Sequence, residues 1–145
     1  MTKRRTGEPW MPAAAYGRML TGLTANLLVR DVGVSLPFYT EVLGLTCLYS
    51  DPDFAALEGE GVRLMLHADH TYDRMPIAPW LAEDGRRGTG VELRILGLDP
   101  DQTEERARRL GYAVLVPSRA FAHGWRECYV QDRDGYVFAV GVLLE

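Results

Sequence analysis

The sequence predicts an α+β protein built from two βαβββ modules in tandem. Three observations carry this. First, two segments, Leu23–Val29 and Val91–Leu96, alternate apolar and polar residues as strands do. Second, each is followed by an aspartate suited to cap a helix, Asp31 or Asp99, and then by a helix-ending glycine, Gly44 or Gly111. The spacing from cap to glycine is thirteen residues in the first half and twelve in the second. Third, each half closes with a hairpin of matching length, Phe54 to Gly61 and Cys128 to Gly135. A pattern written twice at matched spacing outweighs any single motif.

The elements follow in order. Residues 1–20 precede the repeat and form an N-terminal arm carrying Gly7, Pro9, Pro12 and Gly17. A frayed terminus suits this composition. Trp10, Met11, Tyr16, Met19 and Leu20 suit a packed or subunit-bridging segment equally well. Residues 21–145 are expected to form one domain, with modules at about 21–67 and 89–145. In the first strand Leu23, Ala25, Leu27 and Val29 share one face, and Thr24, Asn26, Leu28 and Arg30 the other. Asp31 opens the helix. Pro37 lies inside it and is tolerable if the regular helix starts near Ser35, which places the proline in the first turn. Thr46–Tyr49 is the next strand. Phe54–Leu57, a turn at Glu58-Gly59-Glu60-Gly61, and Val62–His67 make the hairpin, with Val62, Leu64 and Leu66 opposing Arg63, Met65 and His67.

Residues 68–88 join the modules as a loop holding His70, Tyr72, Pro76, Pro79, Trp80 and the run Glu83-Asp84-Gly85-Arg86-Arg87-Gly88. A loop of this length is often functional. A solvated crossover anchored to the core by Trp80 explains it as well. In the second half Val91, Leu93 and Ile95 oppose Glu92, Arg94 and Leu96. Tyr112–Val116 supplies a strand. Arg126–Gln131, the turn Asp132-Arg133-Asp134-Gly135, and Tyr136–Val142 supply the last hairpin. Trp125, Glu127 and Tyr129 alternate along one face of it.

Composition bounds the function. The chain of 145 residues is one domain's worth, and its net charge of −4 argues against general nucleic-acid binding. No apolar run approaches the roughly 20 residues that span a bilayer. Met1 to Arg5 is basic, but no apolar stretch follows it as in a secretory signal. Cys47 and Cys128 lie far apart and read as small buried hydrophobes in a reducing compartment. The expected location is the cytoplasm.

Two segments carry a resemblance. One runs Val29-Arg30-Asp31-Val32 to Ser35, then Phe38-Tyr39 and Val42-Leu43-Gly44-Leu45. The other is Gly124-Trp125-Arg126-Glu127-Cys128-Tyr129-Val130-Gln131-Asp132-Arg133-Asp134-Gly135. Together with the repeat, they resemble the vicinal-oxygen-chelate superfamily of glyoxalases, extradiol dioxygenases and bleomycin-resistance proteins, over about residues 22–143. The match is nearest to the metal-free bleomycin-resistance-like branch. Trp125 stands where that branch usually has a glycine, and Arg133 replaces its turn proline. The resemblance implies an open eight-stranded barrel or cup with helices outside, and the mixed strand faces turned into the cup. A polar sheet face that simply meets water would show the same alternation.

Enzymes of the superfamily hold one divalent metal with four side chains, one from each of four strands. By the family's spacing those positions are Thr24, Met65, Glu92 and Ala139, and one carboxylate does not hold a catalytic metal. His67 and His70 have ligand spacing only if both side chains converge. No cofactor is therefore expected, with one divalent metal as the alternative. The resemblance implies a homodimer and a small-molecule ligand, an antibiotic among the candidates, held by stacking and shape. The candidate ligand-binding residues are Asn26, Arg63, His67, Trp80, Glu92, Arg94, Trp125, Glu127 and Tyr129, and no catalytic residue is assigned. Phe38 and Tyr39 are aromatic too, but their place on the helix puts them in the core. Glu92 reads as a mid-strand carboxylate that binds a cationic group, acts as a base or is neutralised by Arg94. The competing reading is a metal-dependent lyase, isomerase or extradiol dioxygenase of the same superfamily.

Overall fold

The computed structural model describes residues 5–82 and 84–145. The first four residues of the expected arm, and Glu83 of the charged run, lie outside the described residues. The chain divides into two compact units. One takes the chain up to Leu36 together with Thr46–Asp84; the other takes Pro37–Leu45 and Gly85–Glu145. Each carries one four-stranded mixed sheet, so the fold is α+β and made of two βαβββ modules.

The first unit contains β1 (Ala25–Val29), β2 (Thr46–Ser50), β3 (Phe54–Gly59) and β4 (Val62–Ala68) in the order β1-β4-β3-β2. β1 runs parallel to β4, and the other pairs are antiparallel. One sheet face buries Leu27, Val29, Leu64, Leu66, Ala55 and Leu57, as the alternation predicts. Leu23 does not belong to it. The ladder begins at Ala25 opposite Leu64, and Leu23 stands before it, 101% exposed. Alternation identifies a side of a strand; it does not identify where the partner strand stops.

α2 (Val32–Pro37) starts earlier than Pro37 suggests. The Val34 N–H donates to Asp31 Oδ1 at 3.0 Å, so Asp31 caps the helix as expected. Pro37 is its last α-helical residue rather than a first-turn residue. Proline supplies no N–H, and the chain widens into a π-helical turn at Phe38–Val42, where the Leu43 N–H donates to the Phe38 carbonyl at 3.0 Å.

The segment at 68–88 is not a plain loop. It holds a 3-10 turn at Asp69–Tyr72 and a short helix, α3 (Ala78–Leu81). Trp80 on α3 is 69% exposed and does not serve as a core anchor. The arm also has structure: α1 (Ala13–Gly17) lies within it.

The second unit contains β5 (Glu92–Leu96), α4 (Pro100–Arg109), β6 (Ala113–Ala120), β7 (Trp125–Gln131) and β8 (Val137–Leu143), with strand order β5-β8-β7-β6. Val91 precedes β5 and is exposed, again because the ladder starts one residue later. Asp99 caps α4 through the N–H groups of Asp101 and Gln102. Phe38 and Tyr39 are fully buried, as expected. Phe38 meets Tyr112 and Phe138 edge-on or tilted, and Tyr39 meets Phe138 edge-on.

The final hairpin turn lacks the family's proline and is held by Asp132 instead. Asp132 Oδ1 accepts the N–H groups of Asp134, Gly135 and Tyr136 at 3.1, 2.8 and 2.8 Å. Asp132 Oδ2 accepts the Tyr39 hydroxyl at 2.6 Å, which ties the π-helical turn to the hairpin.

Candidate functional site

The register of the second sheet decides which side chains meet. Arg94 and Tyr129 both pair with Ala139, Glu127 pairs with Gly141, Trp125 with Leu143, and Glu92 with Val137. Glu92, Arg94, Trp125, Glu127 and Tyr129 therefore share one face, and five of the nine expected ligand-binding residues come together.

Their roles differ from the sequence reading. Glu92 is the first residue of β5, and its side chain is 38% exposed; it is not a buried mid-strand carboxylate. That position belongs to Glu127, which is 0% exposed. Gly141 makes the room for it. A Cβ there would come within 2.6 Å of Glu127 Cγ and of the Arg126 carbonyl oxygen. Arg94 bridges the two carboxylates, donating to Glu92 Oε1 at 2.8 Å and to Glu127 Oε1. The Glu92 hydrogen bond first, then Tyr129 and Glu127, hold the Arg94 guanidinium above its ordinary pKa.

Two residues enter that the sequence reading missed. His123 Nε2 lies 3.2 Å from Glu127 Oε1. Phe121 packs near His123 and Tyr129, at 5.5 and 6.1 Å between ring centres, with the Arg119 guanidinium 4.7 Å from its ring centre. A signal was present: Phe121 and His123 extend the two-residue period of Trp125, Glu127 and Tyr129 backwards through the turn. Glu127 Oε2 is buried and has no hydrogen-bond partner among the described residues. An unpaired buried carboxylate oxygen is costly, so such a group needs a reason.

The remaining expected residues lie in the first unit. Asn26 and His67 share a sheet face with Met65, Phe54 and Tyr49. Asn26 Nδ2 donates to the Tyr72 hydroxyl at 2.8 Å, and Asn26 Oδ1 lies 2.5 Å from His67 Nδ1. The His67 ring sits between Phe54 and Tyr72. Arg63 donates to the Met19 carbonyl at 2.5 Å. His70 does not converge with His67; its Nε2 lies 2.7 Å from Asp53 Oδ1. Trp80 stays on exposed α3. A cavity of about 460 Å³ in the same unit, lined by Arg30, Asp31, Leu36, Asp51 and His70 among others, includes none of the expected residues.

The residues do not fit the metal that the family's enzymes hold. Thr24 precedes β1, Met65 and Ala139 are poor or impossible ligands, and Glu92 is bound by Arg94. Among the described residues no group of three or more His, Cys, Asp or Glu side chains is placed to hold a metal ion.

Comparison with known proteins agrees with the fold. The family model described as Glyoxalase/Bleomycin resistance protein/Dioxygenase superfamily matches residues 22–140. A glyoxalase-related enzyme from Fulvimarina pelagi is similar at TM-score 0.65 and 21% identity, covering 85% of this chain and 88% of that one. A glyoxalase/bleomycin resistance protein/dioxygenase family enzyme from Burkholderia phytofirmans PsJN gives TM-score 0.69 at 20% identity, covering 83% and 97%. A glyoxalase/bleomycin resistance protein/dioxygenase from Nocardioides gives 0.63 at 27%, covering 91% and 92%. No curated protein matches by sequence.

Proposed function

Because the chain belongs to the glyoxalase/bleomycin resistance protein/dioxygenase superfamily, and its residues do not fit that family's metal, we propose that it is a metal-independent small-molecule binding protein. The observation that carries the reading is Glu127, a fully buried carboxylate with one oxygen unpartnered, beside an arginine and a set of aromatic rings.

The chemistry of the face selects a class of ligand. Two carboxylates, Glu92 and Glu127, share the Arg94 guanidinium and leave Glu127 Oε2 as an acceptor unused among the described residues, while Arg119 stands over the Phe121 ring. Phe121, Tyr129 and Trp125 offer flat apolar surface. A planar aromatic ligand with a cationic or N–H donor group meets both demands, stacking on the rings and donating to Glu127 Oε2 once the partly exposed His123 or Arg94 side chain swings aside to uncover it. As proposed, the protein works as a homodimer in the cytoplasm with a small molecule, rather than nucleic acid or membrane, as its partner. Among the described residues no helix is long and apolar enough to cross a bilayer.

The competing reading is a metal-dependent lyase, isomerase or extradiol dioxygenase, since the similar Fulvimarina and Burkholderia proteins are described as enzymes. Elemental analysis of dialysed protein separates the two, and well under one metal per chain is expected. Isothermal titration with a panel of planar aromatic cations and their neutral analogues then tests the site. Glu127→Gln keeps the shape and removes the charge, and should weaken cationic ligands at least tenfold while changing neutral ones little. A stoichiometric divalent metal, or cation affinity indifferent to Glu127→Gln, overturns the proposal.

A further inference from the structure

The first sheet has its own polar face, and the chain covers it with itself. Leu28, Phe54, Ala56 and His67 point to the face opposite the apolar core, yet all are buried. Tyr72 lies against His67, and the N-terminal arm covers the Phe54 and Tyr49 end of the face. Trp10 lies parallel to Tyr49, 5.1 Å between ring centres at an interplanar angle of 0°. Tyr16 meets the Phe54 ring edge-on at 5.4 Å. The Thr6 N–H and hydroxyl donate to the two oxygens of Asp53 at 2.8 and 2.6 Å. The Arg5 guanidinium lies 2.8 Å from Asp51 and 3.6 Å from Asp53. Arg63 holds the far end of the arm at the Met19 carbonyl.

These contacts have the composition of a bound ligand. The arm offers an indole to an exposed-edge tyrosine and a cation to an aspartate pair. The platform it covers consists of Tyr49 and Phe54, flanked by Asp51 and Asp53, while His67 lies behind Phe54 and against Tyr72. Tyr49 is itself oriented by Asp51, to which its hydroxyl donates at 2.8 Å. If the arm lifts, the rings lose their cover and the two aspartates lose Arg5.

We propose that residues 5–20 are a displaceable cap, an internal stand-in for a planar aromatic cation that binds the Tyr49–Phe54 face of the first sheet beside Asp51 and Asp53. The arm mimics the ligand: Trp10 marks where a ring stacks and Arg5 marks where its positive group goes. A tethered occupant competes at high effective concentration, so ligand affinity is reduced by the fraction of time the cap is closed. The proposal concerns the first sheet only and does not depend on the reading of the Glu127 face.

The test uses the full chain and the dye proflavine, a planar aromatic cation, with acridone as a neutral planar control. Trp10→Ala/Tyr16→Ala removes the two ring contacts of the cap. Proflavine should bind this variant roughly tenfold more tightly than wild type, as expected for a cap closed about nine-tenths of the time. Adding Asp51→Asn, which retains an acceptor for the turn's N–H groups, should abolish most of that gain for proflavine and little of any gain for acridone. In wild type, proflavine should accelerate tryptic cleavage after Arg18, an exposed residue of the arm. If the double variant fails to fold, Arg5→Ala/Thr6→Val loosens the other end of the cap and should show the same ordering. Affinities within twofold of wild type, no proflavine binding to the uncapped variants, or dye-independent cleavage at Arg18 each overturns the proposal.

Discussion

Glu127 and Gly141 act as one device. The Glu127 Cγ methylene lies where a side chain on the neighbouring strand would stand, so the glycine is as much part of the site as the acid. Gly141→Ala should overpack this contact and cost about 1–3 kcal/mol in a urea melt, with a loss of cation affinity parallel to that of Glu127→Gln. A stability equal to wild type would show that Glu127 has another place to go. Cys128, on the opposite face of the same strand, is a fully buried free thiol. Burial, with the carboxylates of Glu104, Asp101 and Asp99 adding to it, pushes its thiol up to about 11. At about pH 8, iodoacetamide should label the half-buried Cys47 well before Cys128; equal rates would contradict the packing described.

Two elements are held by single aspartates. Tyr39 in the π-helical turn donates to Asp132 in the last hairpin, and both side chains are buried. Tyr39→Phe leaves Asp132 Oδ2 without that donor and should cost about 1–3 kcal/mol, measured by chemical denaturation. The arm depends on Asp53. Burial by itself would raise this carboxyl, but hydrogen bonds from Thr6 and His70 and the nearby Arg5 outweigh it and hold the group at about 2, below its ordinary 3.8. The sign follows from linkage. A lowered carboxyl favours the docked arm above pH 3.8, and that contribution is lost as the pH falls towards about 2. Acrylamide quenching of Trp10, isolated in a variant with Trp80 and Trp125 replaced by Phe, should rise across that window. Asp53→Asn should show high quenching already at neutral pH. A flat profile in both would mean the rings alone hold the arm.

At the scale of the molecule, the homodimer is a proposal, resting on closed two-fold dimers being the commonest oligomers. Light scattering at micromolar concentration should give the mass of two chains, and a monomeric mass would remove the dimer from the proposal. The two sheets have the same strand order and the same parallel pair, yet their polar faces are treated differently. One is covered by the arm through aromatic and acidic contacts. The other carries the Glu92–Arg94–Glu127 cluster and His123.

The sequence by itself determined the repeat. Its periods of alternation, the caps Asp31 and Asp99, and the glycines that end the helices are local signals, because hydrogen bonding and side-chain direction repeat over a few residues. The placing of Phe38 and Tyr39 in the core, and of Trp125, Glu127 and Tyr129 on one face, was legible for the same reason. What only the tertiary structure decided depends on neighbours distant in the chain. The register of β7 against β8 set Glu127 over Gly141 and made it, rather than Glu92, the buried carboxylate. The ends of the ladders left Leu23 and Val91 in the open. His70 turned to Asp53 instead of joining His67. The arm, equally suited by composition to fray or to pack, came to rest on the first sheet because Thr6, Trp10 and Tyr16 found Asp53, Tyr49 and Phe54, contacts spanning about forty residues that no local period encodes.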